Sequence, residues 1–291
     1  MTRPRIGILG GSGLYQIDGL TDIAWRRVES PFGTPSDELC FGRLDGVDVV
    51  FLPRHGRGHP LSPSGINYRA NIDALKRSGV TDILSLSAVG GLQDRYAPGT
   101  FVLVDQFIDR TFAREKSFFG NGCVAHVSMA RPVCPRLGDA LAAAGRDRGH
   151  ELLRGGTYLT MEGPQFSTLA ESELYRSWGC AVIGMTNMPE AKLAREAEIC
   201  YATVAMVTDY DCWHPGHEDA TVELIVRVLH DNADKARNLV RAVVPALGGH
   251  AGPCHAGCQT ALDHAFITAP EARDPAVLQH LDAVAGRVLQ G

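Results

Sequence analysis

Two carboxylates one residue apart, Asp209 and Asp211, stand in Thr208-Asp209-Tyr210-Asp211-Cys212-Trp213, directly after the apolar run Cys200–Val207. Such a run reads as a buried strand, so both acids are expected just past a strand's carboxyl end, where open α/β sheets bind ligands. If extended geometry continues through them, alternation puts both side chains on one face. That pair suits an adenine edge: one carboxylate accepts from the exocyclic N6–H, and the other, protonated or through a bridging water, donates to N7. Protonation at N7 makes the purine a better leaving group. The structural alternative is that one acid caps the following segment and the other is solvated.

Three further stretches offer groups for an anion. Gly10-Gly11-Ser12-Gly13-Leu14 follows the strand Arg5–Leu9, and its amides and the Ser12 hydroxyl can cradle a phosphate. Arg54-His55-Gly56-Arg57-Gly58-His59 follows the buried strand Val49–Leu52, with Arg54 offering a planar fork. Ser87-Ala88-Val89-Gly90-Gly91 closes the strand Asp82–Leu86 as a small-residue turn that lets backbone and hydroxyl approach a ligand. Each has a bland counterpart, a glycine corner or a charged surface loop. A dinucleotide fingerprint at the first would need glycine where Gln16 stands, and no Tyr is followed four residues later by Lys, as a short-chain dehydrogenase would require.

The elements that must position these groups are read from periodicity and breakers. They are a mobile loop over His59–Asn67, the helix Tyr68–Ser78, a strand over Phe101–Phe107, the helix Pro135–Arg148 and the strand Gly156–Met161. The helix Thr168–Trp178, the strand Cys180–Gly184 and the helix Ala191–Ile199 follow. Phe166, at a strand-to-helix corner, either stacks on a base or plugs the core. Thr186, near a helix start, either favours an anion or serves as a plain cap. His126, beside apolar residues, reads locally as a satisfied structural histidine. The long helix Thr221–Val244, stopped by Pro245, carries Val222, Ile225, Val226, Leu229, Ala233, Ala236, Val240 and Val243 at helical spacing. Most of that stripe is expected in the core, with the first turn free to line an apolar pocket. A last amphipathic helix spans Pro275–Leu289.

The chain has 291 residues, 45% hydrophobic and 21% charged, which suits one large α/β domain or two small ones. Its net charge of −5 and the absence of a Lys/Arg block argue against nucleic acid or an anionic membrane as partner. The N-terminus shows no targeting pattern and no run is long enough to span a bilayer, so a cytoplasmic protein is expected. Most of the 8 cysteines lie in apolar segments, as buried thiols do. The cluster His250, Cys254, His255 and Cys258 matches neither a strong zinc spacing nor the haem signature, and no metal is expected.

Taken together, the motifs resemble a known family. Gly-Gly-Ser-Gly-Leu, Arg54-His55-Gly56-Arg57, Asn67-Tyr68-Arg69-Ala70-Asn71, Asp105–Thr111, Glu162-Gly163-Pro164, Met185–Glu190 and Thr208–Trp213 occur in the order found in the S-methyl-5′-thioadenosine phosphorylases, of the trimeric purine nucleoside phosphorylase superfamily. The resemblance runs from Arg5 to Leu247. It implies an α/β fold with a mixed central sheet flanked by helices, residues 1–247 forming the phosphorylase domain and 248–291 an extension packed on it. It puts Ser12, Arg54, His55, Ser87, Ala88 and Thr186 at phosphate, with Ser12 and Ser87 where the family often carries threonine. Met185 falls under the ribose, Phe166 and Ser167 near the base, Asp209 at N7 and Asp211 at N6. Val222, Ile225 and Val226 fall on the wall around the 5′-methylthio group, with His126 reaching in from a neighbouring subunit of a homotrimer, or of two trimers paired as a hexamer.

The implied reaction is phosphorolysis of S-methyl-5′-thioadenosine to adenine and 5-methylthioribose 1-phosphate, in purine and methionine salvage. Orthophosphate is a co-substrate and no cofactor is implied. Adenosine or a 5′-halo-5′-deoxyadenosine is an alternative substrate, because a methylene-sized difference at the 5′ end discriminates by only about 1–3 kcal/mol. A 6-oxopurine phosphorylase presents O6 to Asp211, which the acid pair disfavours. A nucleosidase has no use for three anion loops, and a nucleoside-binding protein without turnover has no use for an acid at Asp209.

Overall fold

The apolar runs flanking the candidate loops become neighbouring strands of one sheet, which brings their carboxyl ends together. The computed structural model describes residues 4–11, 16–149, 152–216, 221–250 and 252–289. Among these, eleven strands form a mixed sheet: β1 Ile6–Gly10, β2 Leu20–Arg26, β3 Leu39–Leu44, β4 Val47–Pro53, β5 Asp82–Gly91, β6 Phe101–Leu103, β7 Gln106–Asp109, β8 Leu153–Arg154, β9 Thr157–Thr160, β10 Val182–Gly184 and β11 Cys200–Asp209. The order is β2-β3-β4-β1-β5-β10-β9-β7, with β11 also paired to β5, β6 to β11, and β8 to β6. β1 runs parallel to β4 and to β5, and β11 parallel to β5. The chain therefore leaves Gly10, Pro53, Gly91 and Asp209 on one side of the sheet, the switch-point geometry in which such sheets bind ligands.

Among the described residues seven α-helices cover it: α1 Tyr68–Arg77, α2 Pro135–Asp147, α3 Leu169–Ser177, α4 Asn187–Glu196, α5 Val222–Gly248, α6 Pro275–His280 and α7 Asp282–Leu289. Local chemistry sets their ends. Asn67 caps α1 by accepting the Ala70 N–H, and Thr168 and Glu171 form a reciprocal capping box on α3. One face of the sheet buries Ile6, Ile8, Phe51 and Leu84 against Ala236, Leu239, Val240 and Val243 of α5. The other buries Leu9, Val50 and Tyr201 against α1, α4 and the C-terminal Leu262, Leu281 and Val284. The α/β class with a mixed central sheet between helices is borne out.

Several boundaries differ for physical reasons. Ser87–Gly91 is not a turn but the second half of β5, because Ser87, Ala88, Val89 and Gly90 keep pairing with Ala205, Met206, Val207 and Asp209 of β11. The span Phe101–Phe107 divides because the chain changes partners there: β6 pairs with β11 and β7 with β9. α5 continues through Pro245 to Gly248. Proline deprives the helix of one hydrogen bond, but only its last turn lies beyond, and the buried Leu247 holds that turn to the core. The terminal helix breaks at Leu281, whose N–H closes α6 onto Val277 and Leu278 carbonyls before α7 starts. Strands β2 and β3 pair as an outer ribbon beyond β4.

Candidate active site

The chain leaves β11 at Asp209 and folds back at once. Asp209 Oδ1 accepts the backbone N–H of Asp211 at 2.7 Å, and Oδ2 accepts the Thr208 hydroxyl at 2.7 Å. A carboxylate bonded to the N–H two residues on makes an Asx turn. It puts Asp211 at φ 56°, a left-handed conformation that Asp tolerates. The extended Asp-x-Asp expected from side-chain alternation is thus corrected: a turn, not the pleat, brings the acids together. Position 90 permits it by lacking a side chain, since a Cβ there would lie 2.9 Å from Asp209 Oδ1 and 3.2 Å from the Asp211 nitrogen.

Both acids are buried, 4% and 5% exposed. Loss of hydration raises the Asp209 carboxyl to about 6, helped by the neighbouring Asp211 charge and opposed by the Thr208 and Asp211 hydrogen bonds. Asp211 is also raised by burial, against the favourable nearness of the Ser172 and Ser167 hydroxyls. Even so, Asp211 Oδ2 is shielded from solvent and accepts no hydrogen bond of good geometry from the described residues. A buried carboxylate oxygen left open costs about 1–3 kcal/mol or more until a donor completes it. Asp209 can hold a proton near neutrality, and Asp211 can take an N–H.

Further back on β5, the strand whose Gly90 pairs with Asp209, lies a cluster of hydroxyls. Ser87 Oγ is 3.0 Å from the Tyr158 hydroxyl and 3.2 Å from Thr186 Oγ1, all three buried. Ala88 follows on β5, half-buried. Thr186 precedes α4 but its side chain makes no capping bond, so the hydroxyl serves the cluster rather than the helix. Arg54, directly after β4, is 2% exposed. It clamps Glu190 with Nε at 2.6 Å and Nη2 at 3.0 Å, and gives Nη2 to Ser85 Oγ at 2.6 Å and Nη1 to the Leu86 carbonyl at 3.1 Å. A guanidinium has five N–H groups, so little of this fork is left for an anion. His55 donates from Nδ1 to the Leu61 carbonyl at 2.9 Å and stacks on His59 at 4.1 Å. Burial, with the nearby Arg54 charge, lowers its imidazole to about 4. The ring is neutral, and its Nε2 is an acceptor. Ser12 lies outside the described residues.

The remaining candidates divide. Ser167 joins the acid pair, its carbonyl accepting the Cys212 thiol at 3.5 Å. Phe166 is 40% exposed and so does not plug the core. Met185 is half-buried, its carbonyl held by Arg114 Nη1 at 2.6 Å and its sulfur lying against Gly163. On α5, Val222 and Val226 are exposed at 68% and 57%, and Ile225 is half-buried; the core stripe starts further along the helix. His126 is exposed, with its backbone N–H donating to the Ala265 carbonyl at 2.8 Å.

Residues 5–245 match the model of the phosphorylase superfamily. An S-methyl-5′-thioadenosine phosphorylase of Cereibacter sphaeroides is 64% identical over 289 residues, covering 99% of this chain and 100% of the relative. One of Bradyrhizobium diazoefficiens is 62% identical over the full length of both chains. The chain belongs to the S-methyl-5′-thioadenosine phosphorylases. The crystal structure of a methylthioadenosine phosphorylase from an antarctic soil metagenomic library superposes with a TM-score of 0.91 at 46% identity, covering 98% of this chain and 99% of that one. The methylthioadenosine phosphorylase of Schistosoma mansoni in complex with adenine gives 0.80 at 37% identity, covering 86% and 93%. The similarity extends into the segment after Leu247, where the sequence motifs had ended.

Three residues of this phosphorylase, Glu190, Asn187 and Tyr158, were given no role in the motif reading. Glu190 holds Arg54 and also accepts from Ser85 Oγ at 2.7 Å and the Tyr201 hydroxyl at 2.8 Å, while Asn187 Nδ2 donates to Ser85 and Tyr201 at 3.0 and 2.7 Å. Tyr158 orients the Ser87 hydroxyl from β9. Glu190 carried a signal, an acid in a segment that opens a buried helix. Tyr158 carried none, being one aromatic among several in apolar strands.

Proposed function

We propose that this enzyme, a phosphate-dependent pentosyltransferase, cleaves S-methyl-5′-thioadenosine with orthophosphate, giving adenine and 5-methylthioribose 1-phosphate. The observation that carries the reading is the acid pair: one buried carboxyl that titrates at about 6 beside another with an open, desolvated oxygen. Asp209 protonates N7 and Asp211 accepts the N6–H. A phosphate oxygen attacks C1′ as the C1′–N9 bond breaks, and the bonding pair passes into the purine, which takes the Asp209 proton and leaves as neutral adenine. Phosphate held below the ring stabilises the oxocarbenium-like ribosyl group and makes the attack effectively intramolecular. No step calls on a cofactor.

Ser12, Ser87, Ala88 and Thr186 hold the phosphate, with hydroxyl and amide donors in this reading. The neutral His55 accepts a phosphate O–H, and Arg54, committed to Glu190, contributes charge and rigidity more than a direct fork. Met185 lies under the ribose, and Phe166 and Ser167 flank the base. The exposed Val222 and Val226, with Ile225, form an apolar 5′ wall that a second subunit completes with His126, in a trimer or a pair of trimers; large apolar side chains left open to water support such a partner. Among the described residues no helix is long and apolar enough to cross a membrane.

The test is a panel of initial rates at saturating orthophosphate. 5′-Methylthioadenosine should turn over fastest, adenosine more slowly, and inosine least. Inosine matching 5′-methylthioadenosine would refute the reading of Asp211.

A further inference from the structure

Away from the acid pair, four cysteines meet in the core on the α2 side of the sheet. The Sγ atoms of Cys134, Cys200, Cys254 and Cys258 all lie within 4.8 Å of one another, with Cys134 to Cys254 at 3.6 Å and Cys254 to Cys258 at 3.8 Å. Four thiolates about 2.3 Å from a tetrahedral zinc ion stand roughly 3.8 Å apart along each edge. These separations are too long for sulfur–sulfur bonds, which are about 2.05 Å. They are too short for a multi-iron cluster, whose metal and sulfide atoms must fit between the thiolates. We propose that Cys134, Cys200, Cys254 and Cys258 bind one zinc ion in a closed, structural site of four thiolates.

The surroundings fit an ion of that charge. Four thiolates around a divalent cation leave a net charge of −2, which burial penalises unless cations stand nearby. Arg195 Nη1 is 3.8 Å from Cys258 Sγ, and the Arg136 guanidinium faces Cys200. All four ligands are buried, exposed by 5% at most, so no coordination position opens to a substrate.

The ligands come from three places, each fixed by its own bonds. Cys134 precedes α2 with its N–H on the Tyr201 carbonyl at 2.8 Å, and Cys200 begins β11 with its N–H on the Thr81 carbonyl at 3.0 Å. Cys254 and Cys258 flank a turn closed by the Gly257 N–H on the Cys254 carbonyl at 2.9 Å, with Gly257 at φ 69°. Two ligands arrive singly from distant elements, which is why the spacing of Cys254 and Cys258 alone matched no zinc pattern; His250 and His255 are not in the cluster. The ion would clip residues 252–289 to the sheet. That segment supplies the Ala265 carbonyl to His126 and the Ile267 N–H to Val124, so the clip also steadies the backbone around His126.

The test is metal analysis of the full-length enzyme purified without chelators or a metal-affinity step. One zinc per chain is expected, falling to below about a tenth in Cys258→Ser and remaining unchanged in Cys40→Ser, a buried cysteine outside the cluster. Should Cys258→Ser fail to fold, the wild-type protein exchanged with cobalt(II) answers alone, through the thiolate charge-transfer and tetrahedral ligand-field bands. Iron in place of zinc would overturn the choice of ion. Metal-free enzyme that takes up neither zinc nor cobalt, or peptide mapping that finds these cysteines joined as disulfides, would overturn the site.

Discussion

Replacing Asp211 by Asn isolates the proposed base choice, because the change is nearly isosteric and Asn tolerates the φ of 56° at this position as well as Asp does. In the proposed site the open Oδ2 of the wild type is completed by the N6–H of a 6-aminopurine. A hydrogen bond to a charged group contributes about 1.5–3 kcal/mol and a neutral one about 0.5–1.5. Asp211→Asn should therefore lose about 1–1.5 kcal/mol with 5′-methylthioadenosine, roughly tenfold in kcat/KM. With 5′-methylthioinosine the sign reverses: the acid no longer faces O6, and the amide can donate to it. Removing an unpaired buried acceptor returns about 1–3 kcal/mol, or roughly 5- to 150-fold. The 6-amino over 6-oxo preference should fall by about 50- to 1,500-fold, measured as the ratio of kcat/KM values at saturating phosphate. Asp211→Ala should lose the first term without gaining the second. A ratio that Asp211→Asn leaves unchanged would refute the placement of Asp211 at N6.

Asp209→Asn should lower kcat by about 100-fold or more, as the loss of a general acid does, and should also alter stability with pH. An acid held at about 6 when folded, against an ordinary 3.8, binds protons more readily folded than unfolded. Stability falls as pH rises between those values, and the full cost, about 3 kcal/mol at most, persists above 6. The variant should melt above the wild type at pH 8 and match it near pH 4; a melting difference independent of pH would contradict the buried-acid account. Gly90→Ala drives a methyl group against Asp209 Oδ1, and a kcat/KM reduced by about 100-fold with folding intact is expected. His126→Ala should raise KM for the nucleoside while leaving the melting temperature unchanged, since the ring is exposed in the single chain; unaltered kinetics would remove it from the interface.

Legibility followed the range of the interactions involved. β1, β4 and β11 were readable because they are buried apolar runs with glycine or charge at their ends. β2 was not, because a seven-residue outer strand with mixed exposure lacks that contrast. The acids were visible as a pair, but their geometry was misread: the Asx bond from Asp209 to the Asp211 N–H overrides pleat alternation, and alternation was the only local rule available. Arg54 was legible as a cation on a glycine-punctuated loop after a buried strand, whereas its engagement by Glu190 was not, the partners being separated by 136 positions. The cysteine cluster failed for the same reason, joining positions 134, 200 and 254–258 through the fold.

The most direct measurement of the central claim is phosphorus-31 NMR of the enzyme with 5′-methylthioadenosine and orthophosphate, with adenine followed in the same sample. The account predicts loss of orthophosphate and growth of a pentose 1-phosphate resonance, one for each adenine released. Adenine appearing with the orthophosphate signal undiminished would show water as the nucleophile and contradict it.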